Sequence, residues 1–295
     1  MSRNTVVLMP RQRQPIPWQR WLDRGLVYLL VAIFLFVVLL PFYWIFLSSI
    51  TPKFLMFSIP PRYLPQQITF ENYINMVGAI PFYRYLTNSL IFALGSSFVS
   101  VALSFLASYA LARIKFPGSN IVFMIFIVSI AVPAIGTVVP LFEMLKWLDL
   151  VNDRGAMIML MSSLIVPFTV WIMVPFIQQI PAEIEEAAVI DGANLFQVLR
   201  HVVIPVIRPA LATMLIINFI IAWNELLYPL VFATNRTTKT LSVGLVELAV
   251  DPSMGAGRPW DLMSALSVTM IIPVLLLVLL FQRLIIAGLT RGAVK

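Results

Sequence analysis

IPAEIEEAAVIDGANLFQVLRHVVIPVIRP, residues 180–209, is the one long amphipathic, charge-bearing segment lying between two apolar runs, and every other segment can be placed relative to it. Pro181 suits a first helical turn, where its missing N–H would have had no partner in any case. Glu183, Glu185 and Glu186 follow beside the positive end of the helix dipole, and Ala187 and Ala188 continue the helix with almost no side-chain bulk. Asp191-Gly192 reads as a break, with Gly192 available for a left-handed C-terminal conformation. A second short helix is predicted over 194–204, stopping at Pro205. Ala187, Ala188, Gly192 and Ala193 leave the backbone at the centre open to close approach by another protein. A helix lying on the membrane surface is the plainer alternative. Such helices carry Lys and Arg on the polar face, whereas four carboxylates precede Arg200 here.

The chain has 295 residues, of which 60% are hydrophobic and 11% charged. A soluble domain is about 25% charged, so the expected fold class is an all-α polytopic membrane protein. The net charge of +7 is scattered between apolar runs and forms no stripe, which argues for the positive-inside bias of membrane proteins and against a nucleic-acid partner. With no cysteine there is neither a disulfide nor a thiolate site, and the lone His201 reads as structural. One histidine cannot supply the paired ligands of a membrane zinc protease, and no G-x-x-x-x-G-K-[ST] run is present to cradle a nucleotide.

Hydropathy predicts six transmembrane helices, at about 26–50, 85–112, 121–145, 156–177, 206–228 and 262–286, after a basic tail at 1–25. The transmembrane domain is thus 26–295, with a cytoplasmic loop at 180–205. A short amphipathic piece is predicted at 70–77. Ser96, Ser100, Ser104 and Ser108 share one face of the second span, which favours close helix packing over a hydroxyl-lined path. Pro133, Gly136 and Pro140 interrupt the third span, and Pro167 and Pro175 the fourth. Interrupted neighbouring spans point to a translocation path with moving parts, although simple kinks fit any single proline as well. Asn224 and Glu225, near the outer end of the fifth span, are candidates for that path or for locking helices together. Twelve of the 20 basic residues and five of the 13 acidic ones fall on the side holding both termini and the 180–205 loop, so that side is cytoplasmic.

Glu186-Ala187-Ala188, Gly192, Val202, Ile204 and Pro205 have the spacing of the EAA loop, and the chain resembles the permeases of binding-protein-dependent ABC importers. EEAAVIDGA, the AWNE run at 222–225 and the ending FQRLIIAGLTRGAVK are similar to the carbohydrate branch, in particular the second permease subunit of maltose-type systems. The outer turn KWLDLVNDR departs from that branch by carrying Asp149 where glycine is common. The resemblance implies the type I importer fold, with Glu185, Glu186, Ala187, Ala188, Asp191, Gly192, Ala193 and Pro205 in the coupling loop that seats in a cytoplasmic ATPase. It implies a heterodimer with a second permease subunit, an ATPase dimer that alone binds ATP and Mg, and an extracytoplasmic substrate-binding protein reached by the loop at 233–261. The chain itself then does no bond chemistry and holds no cofactor. The implied setting is the bacterial or archaeal plasma membrane, crossed several times and in contact with lipid. The implied cargo is a sugar or glycoside, with glycerol phosphate or a glycerophosphodiester as the alternative. An ion-coupled secondary transporter fits less well, because only Glu143 and Glu225 approach membrane depth.

Overall fold

A computed structural model describes residues 17–60, 63–250 and 258–291. Positions 1–16 of the basic tail, 251–257 of the second outer loop, and Gly292 and Lys295 of the terminal sequence lie outside the described residues. The elements in order are α1 (Pro17–Ser49), α2 (Lys53–Met56), α3 (Glu71–Ala79), α4 (Phe82–Arg113), α5 (Ser119–Ile130), α6 (Ala134–Trp147), α7 (Arg154–Gln178), α8 (Ala182–Ile190), α9 (Leu195–Val198), a π-helical turn (Leu199–Val203), α10 (Ile204–Trp223), α11 (Leu227–Phe232), α12 (Leu241–Val250) and α13 (Trp260–Arg291). Among the described residues there is no strand.

Five helical rods are long and apolar enough to cross a bilayer: Arg24–Ser49, Phe82–Arg113, Arg154–Gln178, Leu195–Trp223 and Trp260–Gln282. At about 1.5 Å per residue each clears a hydrocarbon core of about 30 Å. The third expected crossing is not a straight rod: α5 and α6 meet at 100°. Pro133 explains the break. It donates no N–H, and it pushes the residue before it out of the helical region. The last turn of α5 tightens to bonds from Ala131 N to Val128 O and from Val132 N to Ser129 O, and the helix restarts at Ala134.

A second expectation is corrected at Pro205, where the helix was predicted to stop and instead runs through to Trp223. The π turn makes this feasible: Ile204 N donates to Leu199 O, five residues back. The wider turn shifts the register just where Pro205 has no hydrogen to give, and Pro205 then occupies the first turn of α10. The fifth span ends earlier than expected, at Trp223, and α11 begins only at Leu227.

The bundle is organised around α4, α7 and α10. The serine stripe of α4 is fully buried, and two of its hydroxyls turn to the backbone of α7: Ser104 Oγ donates to Val166 O at 3.3 Å and Ser108 Oγ to Val170 O at 3.4 Å. Small residues at this spacing let two helix backbones approach closely in lipid. Two apolar clusters stack along the bundle. One contains Phe92, Met161, Ile165, Phe219 and Trp223, the other Val101, Met173, Ile177, Ile207 and Met214. Between them, on all three helices, lies a polar layer. The amide Nδ2 of the fully buried Asn218 donates to Ser100 Oγ and to Thr169 Oγ1, both at 2.9 Å, and Ser97 Oγ donates to Leu215 O at 2.6 Å. By contrast α1 is exposed over residues 24–44 and is first fully buried at Leu47. There α3 holds its end, through bonds from Asn72 Nδ2 to Ser49 O and Thr51 O.

Candidate functional site

At one end of the bundle the 179–203 segment forms an elbow. Pro181 precedes the first turn of α8, and the helix closes on a Schellman motif at Gly192 (φ 89°). Ala193 N donates to Ala188 O and Gly192 N to Val189 O, both at 3.0 Å, which satisfies carbonyls the helix end would otherwise orphan. A Cβ at Gly192 would meet nothing within 4 Å, so the glycine is required by its φ and not by crowding. Asn194 opens α9 with a reciprocal capping box: Gln197 N donates to Asn194 Oδ1 at 3.0 Å, and Asn194 N to Gln197 Oε1 at 2.8 Å.

The predicted loop residues face in different directions. Glu186, Ala187, Asp191 and Gly192 are exposed, and so is Pro205 further along; Ala188 and Ala193 are half-buried against the inner cluster. Glu185 does not belong with the exposed set. It is buried, and it accepts from Arg113 Nε at 2.8 Å and from Tyr109 Oη at 2.9 Å, both on the last turns of α4. Arg113 also donates to Ile180 O at 2.6 Å. Helical spacing explains the split, since Glu185 and Glu186 are 100° apart around the axis. On the free side Ile190 is 85% exposed and Phe196 68%, and Val189 and Leu195 are exposed beside them. A groove of about 530 Å³ runs between Glu186, Val189, Ile190, Leu195 and the Tyr109 side of α4. Large apolar side chains thus gather, exposed, on an otherwise polar and acidic loop.

The candidate path residues come together through a contact that the sequence does not announce. Pro133 and Gly136 flank the α5–α6 bend, and Asn224 and Glu225 fill the gap between α10 and α11. Thr137 Oγ1 and Tyr228 Oη, at 2.9 Å, join the two breaks. Glu225 Oε1 accepts from Tyr228 N at 3.2 Å and so caps α11, while Asn224 is exposed and donates Nδ2 to Ile220 O at 2.8 Å. Trp223, from the same run, is buried and donates Nε1 to Met270 O on α13 at 3.1 Å.

At the far end, loops are bonded to one another. Asn152 Oδ1 accepts from Asn235 N at 2.9 Å and from Thr238 Oγ1 at 3.1 Å; Asn88 Nδ2 donates to Thr237 O and Lys239 O, both at 2.9 Å. Glu247 on α12 takes Tyr85 Oη at 2.8 Å and Lys239 Nζ at 2.5 Å. Asp149 and Asn152 both adopt positive φ, which short polar side chains tolerate and which accounts for glycine being at home in that turn. Sequence reasoning missed Asn218, Arg113 as a partner of Glu185, and this outer network. Only Asn218, a polar residue inside an apolar run, left a signal that could have been read.

The family described as "binding-protein-dependent transport system inner membrane component" matches residues 101–291. The inner membrane ABC transporter permease protein YcjP of Escherichia coli is 34% identical over 279 residues, covering 94% of this chain and 98% of that protein. The sulfoquinovosyl glycerol transport system permease protein SmoH of Agrobacterium fabrum is 32% identical, covering 92% and 94%. The trehalose/maltose transport system permease protein MalG of Thermococcus litoralis is 33% identical, covering 88% and 92%. Among solved structures, a chain of a bacterial ABC transporter involved in the import of the acidic polysaccharide alginate superposes with a TM-score of 0.78 at 24% identity, covering 92% of this chain and 99% of that one. At that identity the likeness speaks for the fold.

Proposed function

The chain belongs to the family of binding-protein-dependent transport system inner membrane components, and from that premise we propose that it is the membrane-spanning permease subunit of an ATP-driven importer for a sugar or glycoside. The observation that carries this reading is the elbow of α8 and α9. It offers an apolar and acidic surface outward while being bonded from behind to the bundle. In this reading Glu186, Ala187, Ala188, Asp191, Gly192 and Ala193 seat in a cytoplasmic ATPase dimer, which holds ATP and Mg. Closure of that dimer moves the elbow as a rigid body and switches access to the path. The excess of basic residues in the segments that the sequence assigns to the elbow's side supports placing it, with both termini, in the cytoplasm.

The path is assigned to the face where the α5–α6 bend meets the α10–α11 gap, with Asn224, Glu225, Pro133 and Gly136 at its wall and a second permease subunit opposite. Broken helices at membrane depth are tolerated where they line a cavity or meet protein. The names of YcjP, SmoH and the trehalose/maltose permease, where they give a solute, give sugars or a sugar-bearing glycerol, which favours that class over glycerol phosphate. The bonded outer loops would form a stiff platform for an extracytoplasmic substrate-binding protein.

The test is uptake by the full complex in proteoliposomes. Gly192→Trp, which forces a bulky residue to φ 89°, and Ala188→Arg should each insert normally and lower ATP-driven uptake by about tenfold or more, the scale of a coupling free energy. Normal uptake by both variants sinks the coupling role. Identifying the ligand carried by the purified binding protein decides the solute.

A further inference from the structure

The elbow is attached to the bundle in two dissimilar ways. On one side, a single buried carboxylate ties it to α4. Glu185 is 8% exposed, both of its oxygens are occupied, and the guanidinium that binds it at 2.8 Å also reaches back to Ile180 O, just before α8. Breaking one partner of such a pair strands a buried charge, so the contact holds as a unit. On the other side, the chain leaves the elbow through the π turn at Leu199–Val203, where the regular bonding ladder is displaced before α10 begins. π turns inside helices interrupt the regular ladder, are among the places where helices kink, and are frequent at functional sites. Further in, α4 packs more extensively against α7 than against any other element, with Ser104 and Ser108 donating to it, while Ser97 and the Asn218 layer join α4 to α10.

We infer that Arg113 and Tyr109 are positioning residues through which the elbow drives α4: Glu185 makes α8 and the end of α4 one body, the α4–α7 pair takes up the displacement, and the π turn lets α10 lag. This rests on the coupling reading above and names the side chains that carry the stroke into the membrane.

The chain has no cysteine, so the tether can be removed and rebuilt chemically. Glu185→Gln and Arg113→Ala would be reconstituted with the ATPase and second permease subunit. ATP hydrolysis per assembled complex would be read with and without the binding protein, purified with the ligand it carries. Both variants should hydrolyse ATP at the unstimulated rate and lose stimulation about tenfold, the scale of a coupling free energy. In Arg113→Cys/Glu185→Cys, bridging the two thiols with a bifunctional thiosulfonate should restore stimulation. Full stimulation in the single variants overturns the inference. So does a bridge that restores thermal stability but not stimulation, because the pair would then be structural only. A wild-type complex with no stimulation by the binding protein would overturn the importer reading, and the tether's role with it.

Discussion

Asn218 shows how much one side chain can organise in lipid. Its amide faces two hydroxyls from two other helices, and all three residues have no exposed surface, so neither water nor lipid can replace the bonds. Interhelical bonds of this kind are worth about 1 kcal/mol in membranes, because the unfolded chain in the bilayer also finds partners. Asn218→Leu should therefore lower stability by about 1 kcal/mol, more if Thr169 and Ser100 are left unpaired in the core. A lower melting temperature of the detergent-solubilised protein would register it, and an unchanged one would mean the polar layer is incidental. Glu185 and Glu186 make the complementary point: neighbours in sequence, they serve opposite surfaces of one short helix.

At the scale of elements, the α4–α7 contact is the most extensive pairing, and its basis is size. Every fourth residue of α4 from 96 to 108 is serine, fully buried, and bulk there would push the helices apart. Ser104→Leu overfills the interface and should cost about 1–3 kcal/mol, the usual range for added methylenes in a packed core. Ser104→Ala, which keeps the size, should cost less than about 1 kcal/mol, the worth of one interhelical bond. Equal melting temperatures for the two variants would show that the hydroxyl and not the volume matters. The broken elements follow a different logic. The α5–α6 bend and the α10–α11 gap are each set off by local chemistry, and the Thr137–Tyr228 bond brings them to one place.

At the scale of the molecule, the loops sort into two ends. The turn after α4 and the elbow meet through Arg113 and Glu185; the turn before α7 and the loop after α11 meet through Asn152. With α4 about 48 Å long at 1.5 Å per residue, the two ends stand on opposite sides of a bilayer. Because the chain lacks cysteine, single introductions give clean labels. Asn235→Cys should react with a membrane-impermeant maleimide in intact cells, and Val189→Cys only after permeabilisation. The reverse pattern would put the elbow outside and remove it from the reach of ATP.

The sequence by itself determined what depends on local composition and spacing: apolar runs long enough to cross a membrane, the left-handed turn at Gly192, the serine face of α4 and the family to which the chain belongs. These follow from neighbours within a turn or two, or from a summed hydropathy, and are written in one dimension. Tertiary structure alone decided that Glu185 turns inward to Arg113, 72 positions earlier, that the helix passes Pro205 on a π turn, and that two distant breaks share one hydrogen bond. Each is a choice between alternatives that are nearly equal locally. The balance is tipped by which side chains the packing of α4, α7 and α10 brings within about 3 Å, the reach of a hydrogen bond.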